Sequence, residues 1–483
     1  MTTKVTIGPV TRVEGHGKVT IQINEKGEVE QSRLHIVEFR GFERFVQGRP
    51  YWEAPVLVQR LCGICPVSHH LAAAKAMDVV VGAGTGEGLT PVAEKMRRLM
   101  HYGQIFQSHT LHFFHLASPD LLFGYDADPA KRNVIGVALE YPELARHAVL
   151  MRKWGQEVIA ATAGKKIHGT GAVPGGVNKN LQPEERDALL AGPDSMNADT
   201  MIEWALSAVA FFKDYYRAHR EFIDNFSHFP SNHLSLVRKD GALDLYHGVI
   251  RAIDPEGKRI IDDVDYQDYL LYIREEVRSW SYMKFPFIKA LGPERGWYRV
   301  GPLARLNTVD FIPSPLAQKE FEEYKAATGR VNDRCMHTHW ARLIEALHAA
   351  EMIRSLLRDP GLQGTNLCVA GPREKRGVGV IEAPRGTLFH EYEVSDSDQI
   401  TMCNLIVSTT NNNEPMNRAV NFVARAMMTG KQKITEPMMN AVEVAIRAYD
   451  PCLSCATHAA GRMPLEITMV GPKGDLIDRR EID

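Results

Sequence analysis

The sequence predicts an α-rich α+β protein, with a central helical bundle, small α/β parts at either end and both chain ends meeting at one site. Three observations carry that expectation. Long apolar patterns of helical period fill the middle of the chain, and alternating, strand-like stretches sit towards its termini. Two Cys-x-x-Cys pairs lie near opposite ends, Cys62 with Cys65 and Cys452 with Cys455. Two such pairs facing one another supply four thiolates, a soft-donor set suited to a thiophilic metal.

Residues 4–7, 17–23 and 29–39 read as strands, the last two around a turn at Asn24-Glu-Lys-Gly27. Residues 52–81 read as helix carrying the first pair, broken locally at Pro66. Cysteines at i and i+3 of a helical turn point their sulfurs the same way. Thr90 as N-cap and Pro91 at the first helical position start a helix running to about residue 117. Further helices are expected near 138–162, 198–225, 333–358 and 414–429, and Trp340, Leu343, Ile344, Leu347 and Ala350 form a core-facing stripe. Strands return at 378–381, 388–394 and 400–408. Asp450-Pro451 then caps a short helix bearing the second pair, and residues 465–478 read as a hairpin around Gly471-Pro-Lys-Gly474. The expected parts are a β-rich 1–50, a helical core 51–360, an α/β part 361–458 and a tail 459–483.

Composition sets bounds on function. With 483 residues, 44% hydrophobic and 24% charged, the chain is of ordinary globular type. A net charge of -2 gives no reason to expect nucleic acid or an anionic membrane as partner. No apolar run approaches the roughly 20 residues needed to span a bilayer. Seven scattered cysteines do not make a secreted disulfide framework. The expectation is a cytoplasmic, reduced protein with four ligand cysteines, and with Cys335, Cys368 and Cys403 as buried small hydrophobes.

From the cysteines alone, structural zinc and a catalytic metal both stay open. Zinc ribbons usually place their second pair within tens of residues, whereas Cys65 and Cys452 lie 387 positions apart. Neither pair follows a β-α-β pattern, which removes a thioredoxin-like reading. Val79-Val-Val-Gly-Ala-Gly-Thr-Gly-Glu-Gly88 imitates a dinucleotide fingerprint, but Glu87 stands where the third glycine belongs. It reads as a helix end and loop, so any NAD(P) would bind a partner. His109, His112 and His115 span more than one ligand face and read as interior structure, while His337 and His339 carry no assignment.

Arg12-Val-Glu-Gly-His16, Phe39-Arg-Gly-Phe-Glu43, Cys62-Gly-Ile-Cys65 with His69, Glu382-Ala-Pro-Arg-Gly386 and Asp450-Pro-Cys-Leu-Ser-Cys-Ala-Thr-His458 occur in this order. This set resembles the large, catalytic subunit of nickel–iron hydrogenases, most closely the soluble, NAD(P)-linked bidirectional branch. The likeness extends to His109-Thr-Leu-His-Phe-Phe-His115 with Asp120, and to Pro174-Gly-Gly-Val177, so it spans almost the whole chain.

The resemblance implies reversible cleavage of H2 at a nickel–iron centre whose iron carries cyanide and carbon monoxide. Cys62 and Cys452 would be terminal nickel ligands, and Cys65 and Cys455 would bridge to iron. Glu14 would take the proton onward. Arg385 would close a dry pocket over the metals with Asp120 and Asp450, and Thr409 would donate to a cyanide. On its spacing from Cys65, His69 supports a bridging sulfur. Glu43, His458 and the Leu405 carbonyl would hold magnesium, and an endopeptidase would cleave after His458. Partners implied are a small subunit with Fe–S clusters and a diaphorase module carrying flavin and NAD(P). Two alternatives remain: a quinone-side subunit of complex I type, which characteristically lacks the cysteines, and a zinc-stabilised interaction protein.

Overall fold

One contact between a helix and a hairpin organises the site. The computed structural model describes residues 3–83, 88–192, 196–431, 433–457, 465–470 and 476–482. In it the helix Pro66–Val80 lies on an antiparallel hairpin, Arg376–Ala383 with Gly386–Val394, which Ile400–Ile406 extends to three strands. Two glycines on the first strand permit that approach. A Cβ at Gly379 would sit 2.1 Å from the Ala72 carbonyl oxygen, and one at Gly377 would sit 2.0 Å from that of Ala76. Cys65, at the start of the helix, thereby shares a hollow with Arg385 from the hairpin turn.

The helical core follows the expected stripes. Pro91–Leu111 packs against Pro142–Ala163 and Thr338–Leu357, and the last of these against Ala198–Ala218. Trp340, Leu343, Ile344, Leu347 and Ala350 are all buried there. The N-terminal strands Thr3–Ile7, Gly17–Ile23 and Val29–Ile36 form an antiparallel sheet and join the same core through Val19, Ile21 and Leu34. No helix among the described residues is long and apolar enough to cross a membrane.

Several expectations need correction. The first cysteine pair is not on a helical turn: Cys62 is extended (φ -138°, ψ 143°), and Cys65 is the N-cap of Pro66–Val80. Proline favours the first helical position and pushes its predecessor out of helical geometry, so Pro66 starts a helix rather than interrupting one. Asp450 does not cap the second pair. It adopts φ 54°, its side chain turns to Arg385, and Leu453 precedes a single short turn, Ser454–Ala456. The expected 138–162 helix is two, Val134–Glu140 and Pro142–Ala163, divided at Pro142. The helix starting at Pro91 passes through a π-turn, His112–Ala117, before Ser118–Phe123.

Missed altogether were the helix Glu436–Ala448 and a four-stranded sheet in which Asn232–Val237 pairs Val249–Ile253, then Arg259–Val264. All six residues of Asn232–Val237 are buried, so no alternation marked the strand. The C-terminal hairpin is present, with Leu465–Val470 antiparallel to Leu476–Ile482. The dinucleotide imitation is a helix ending at Val80 and a turn, with positions 84–87 outside the described residues.

Candidate metal centre

The two ends of the chain meet where the motifs require. Glu14 forms an isolated parallel bridge with Cys452, and the Leu453 amide donates to the Glu14 carbonyl at 2.9 Å. Gly15 makes this possible: its φ is +80°, and a Cβ there would lie 2.5 Å from the Ser454 nitrogen.

Four buried sulfurs result, those of Cys62, Cys65, Cys452 and Cys455, all within 4.8 Å of one another. Cys62 Sγ lies 3.1 Å from Cys65 Sγ and 3.3 Å from Cys452 Sγ. It also accepts from the amides of Ile64 and Cys65, at 3.2 and 3.1 Å. Four buried thiols cannot all ionise without a cation among them. Burial drives Cys452 and Cys455 well above the ordinary thiol range. Burial opposes ionisation of Cys62 too, yet hydrogen bonds from its cysteine neighbours and the positive Arg385 bring it well below that range. A bound divalent metal would offset what burial opposes.

Cys452 Sγ meets an acid. Glu14 Oε2 lies 3.0 Å from it and accepts from the Ser454 amide at 3.2 Å, while the Ser454 hydroxyl donates to the other carboxylate oxygen. On the opposite side, Arg385 donates through Nε to the Asp450 carbonyl at 2.5 Å and through Nη2 to Asp450 Oδ1 at 3.0 Å. Burial raises Asp450 to about 6 against the pull of Arg385 and Arg342.

Arg385 Nη1 is buried with no hydrogen-bond partner among the described residues, and Ser68 Oγ is in the same condition. Both residues line one small hollow together with Cys65, His69, Thr409 and Cys452. Thr409 Oγ1 accepts from the Cys452 amide at 2.9 Å, which leaves its own O–H to donate. A fully buried guanidinium nitrogen without an acceptor is costly, so the hollow is built for a polar guest.

The structure does not bring Asp120 to this hollow. Asp120 accepts from Arg447 at 2.9 Å, Arg12 at 2.5 Å and Arg132 at 3.2 Å. Burial would raise its carboxyl, but Arg447 and Arg12 hold it below the usual range. With three guanidiniums on its two oxygens, Asp120 braces the segment that carries Arg12 and Glu14. Glu43 is buried and accepts from the Leu405 amide at 2.9 Å. His458 lies outside the described residues. Among the other histidines, His109 pairs with Glu345 at 2.9 Å and His112 bonds the Arg447 carbonyl at 2.7 Å, both in the interior.

Sequence reasoning passed over Ser68 and Ser454. Each sits inside or just after a cysteine pair, and that position was the available signal. It also passed over His390, whose Nε2 is 3.1 Å from His69 Nδ1. Cys335 and Cys403 are buried as expected, but Cys368 is exposed.

Comparison with known proteins agrees with this geometry. Residues 40–138 and 257–458 match the nickel-dependent hydrogenase family, and residues 4–39 match the HoxL-like family. The β chain of the NAD-reducing hydrogenase HoxS of Cupriavidus necator is 52% identical over 99% of this chain and 100% of that protein. The vhc F420-non-reducing hydrogenase of Methanococcus voltae contains a polypeptide 42% identical over 96% of each sequence. A crystal structure of an NAD+-reducing [NiFe]-hydrogenase in the H2-reduced state superimposes with a TM-score of 0.90 at 55% identity, covering 94% of this chain and 99% of that one. The fold is shared with the [NiFeSe]-hydrogenase of Dm. baculatum, at a TM-score of 0.74 and 22% identity over 95% of this chain and 100% of that one.

These matches do not favour the zinc-stabilised reading, and retention of both cysteine pairs argues against the quinone-side one. Four soft donors and orphaned N–H and O–H groups facing one hollow fit a nickel–iron centre. The chain belongs to the nickel-dependent hydrogenase family, as its large, metal-holding subunit.

Proposed function

We propose that this chain is the hydrogen-activating subunit of an NAD-linked [NiFe] hydrogenase, interconverting H2 with protons and electrons. One observation carries the reading: four buried cysteine sulfurs from both chain ends converge, and a carboxylate touches one of them. Bound there, a nickel–iron centre supplies Lewis acidity and a store for the electrons of H2. Cys62, Cys65, Cys452 and Cys455 would hold it through their thiolates.

The protein's own groups handle the proton. Cys452 Sγ accepts it, and Glu14, 3.0 Å away, carries it off. Ser454 clamps the carboxylate from two sides and so aims Oε2 at the sulfur. Arg385 Nη1, Ser68 Oγ and the Thr409 hydroxyl face the hollow as donors for the cyanide ligands of iron, and Asp450 locks the guanidinium in place. His69 supports the Cys65 sulfur from the next turn of its helix. Apolar neighbours such as Ile381, Leu388 and Val407 keep water out.

Glu43, whose Oε1 accepts from the Leu405 amide at 2.9 Å, would hold magnesium together with the Leu405 carbonyl and His458. Cleavage after His458 is supported by the family match, which ends at that residue. The name of the Cupriavidus relative, part of an NAD-reducing hydrogenase, supports NAD as the distal acceptor. Its designation as one subunit of a larger enzyme supports assembly with further subunits, which by the resemblance are a small Fe–S protein and a flavin-bearing diaphorase module in the cytoplasm. Metal analysis and infrared spectroscopy of the purified complex test the reading. Nickel and iron together, with CO and cyanide stretching bands, are expected; zinc alone would overturn it. Intact mass of the active chain should end at His458, and an active full-length chain would refute processing.

A further inference from the structure

Away from the metal hollow, a cleft of about 820 Å³ opens beside the far end of the helix Pro66–Val80. A volume of that size suits a small organic molecule rather than a single ion. Lys75 forms part of its lining and is only 6% exposed. A lysine is rarely buried so deeply unless a charged group pairs with it. Here the ammonium donates to two neutral carbonyls, that of Tyr246 at 2.6 Å and that of Val380 at 2.7 Å. It also sits 4.8 and 4.9 Å from the ring centres of Tyr246 and Tyr266.

The carboxylates nearby are held by other groups. Asp78 accepts from Arg97 at 2.6 and 2.9 Å. Glu94 accepts from Arg98 at 2.5 Å and meets His247 at 2.9 Å. Asp244 takes Arg98 at 3.1 Å together with the amides of Tyr246 and His247. All three attract Lys75 without bonding to it. Burial outweighs them and lowers its ammonium to about 7. A buried cation whose direct partners are neutral is stabilised by an anion brought into contact, and an ammonium with two bonds made has a third N–H to donate.

The mouth of the cleft adds direction. Exposed Arg238 and Lys239 follow one outer strand, and exposed Asp263 and Asp265 end the other, on either side of the central strand Val249–Ile253. The cations draw an anion in, and the aspartates offer acceptors to hydroxyl groups on its far end. We propose that this cleft binds a small hydroxylated organic anion, with its carboxylate or phosphate on the Lys75 ammonium and its hydroxyls towards Asp263 and Asp265.

Isothermal titration calorimetry of the assembled complex tests the site, with glycerol 3-phosphate, glycerate and neutral glycerol as probes. At least one of the two anions should bind saturably and glycerol should not; the tighter anion identifies the head group. Lys75→Gln keeps N–H donors for the two carbonyls but removes the charge, and should weaken that anion by about tenfold or more. Lys239→Glu, at the exposed mouth, should weaken it by a smaller factor. Saturable binding of neither anion overturns the proposal, as does equal binding of glycerol or an affinity that Lys75→Gln leaves unchanged. Should Lys75→Gln fail to assemble, Lys239→Glu decides, and an unaltered affinity there overturns the site.

Discussion

Two buried arginines show how differently the same group is used in this molecule. Arg305 sits in the helical core with every N–H engaged: Nε and Nη2 reach Glu345 at 2.6 Å, Nη1 reaches Glu382 at 2.8 Å, and the carbonyls of Ala383 and Pro384 take the remainder. Arg385, in the hairpin turn just beyond those carbonyls, is equally buried, yet its Nη1 has no acceptor among the described residues. A saturated guanidinium is a structural brace. One held rigidly by Asp450 with a donor to spare marks a place where something else binds. Burial and charge do not separate the two cases; the count of satisfied hydrogen bonds does.

The largest effect that sharpens this contrast is loss of a sulfur. Cys455→Ala should abolish nickel binding and H2/D+ exchange together, and an active variant would contradict the four-thiolate site. Next comes Glu14→Gln, which should keep the metals but removes the proposed proton carrier. Exchange should fall by about 10²–10⁴, the usual contribution of a general acid–base group. Full activity would take Glu14 out of the proton path.

Arg305→Met tests the brace. It strands Glu345 and Glu382 in the interior, where removing one partner of a buried ion pair costs about 3–5 kcal/mol. A marked fall in melting temperature should therefore appear. An unchanged Tm would show that the cluster is not structural.

The smallest effect concerns pH. Burial lowers His101, His109 and His348 to about 4 from an ordinary value near 6.5. Between those values the unfolded chain binds more protons than the folded one, so stability falls as pH drops through that window. The slope approaches about 1.4 kcal/mol per pH unit for each such histidine. The melting temperature should decline from pH 7 to pH 5, and a flat profile would mean these histidines are already charged when folded.

Legibility in the sequence followed the range of the interaction. The helices Pro91–Leu111, Thr338–Leu357 and Asn413–Met428 were readable because their signals are local: a cap, a proline, an apolar stripe. The strand Asn232–Val237 was not, since burial on both faces erases alternation. At the site, the cysteines and Glu14 stood in motifs, whereas Asp120 and Asp450 looked alike as candidates for Arg385. Which carboxylate pairs with which arginine depends on neighbours far along the chain, here Arg447 for Asp120 and Arg385 for Asp450.

The sequence by itself determined the four paired cysteines and the family, because spacing and residue type encode soft-donor chemistry directly, while Glu14 as proposed proton carrier came from its place in the family motif. Only the tertiary structure decided that Cys65 caps a helix and that Ser68 and Arg385 share unspent donors. The physical reason is that hydrogen-bond satisfaction is a property of all the groups within about 3 Å of an atom, and folding alone chooses which those are.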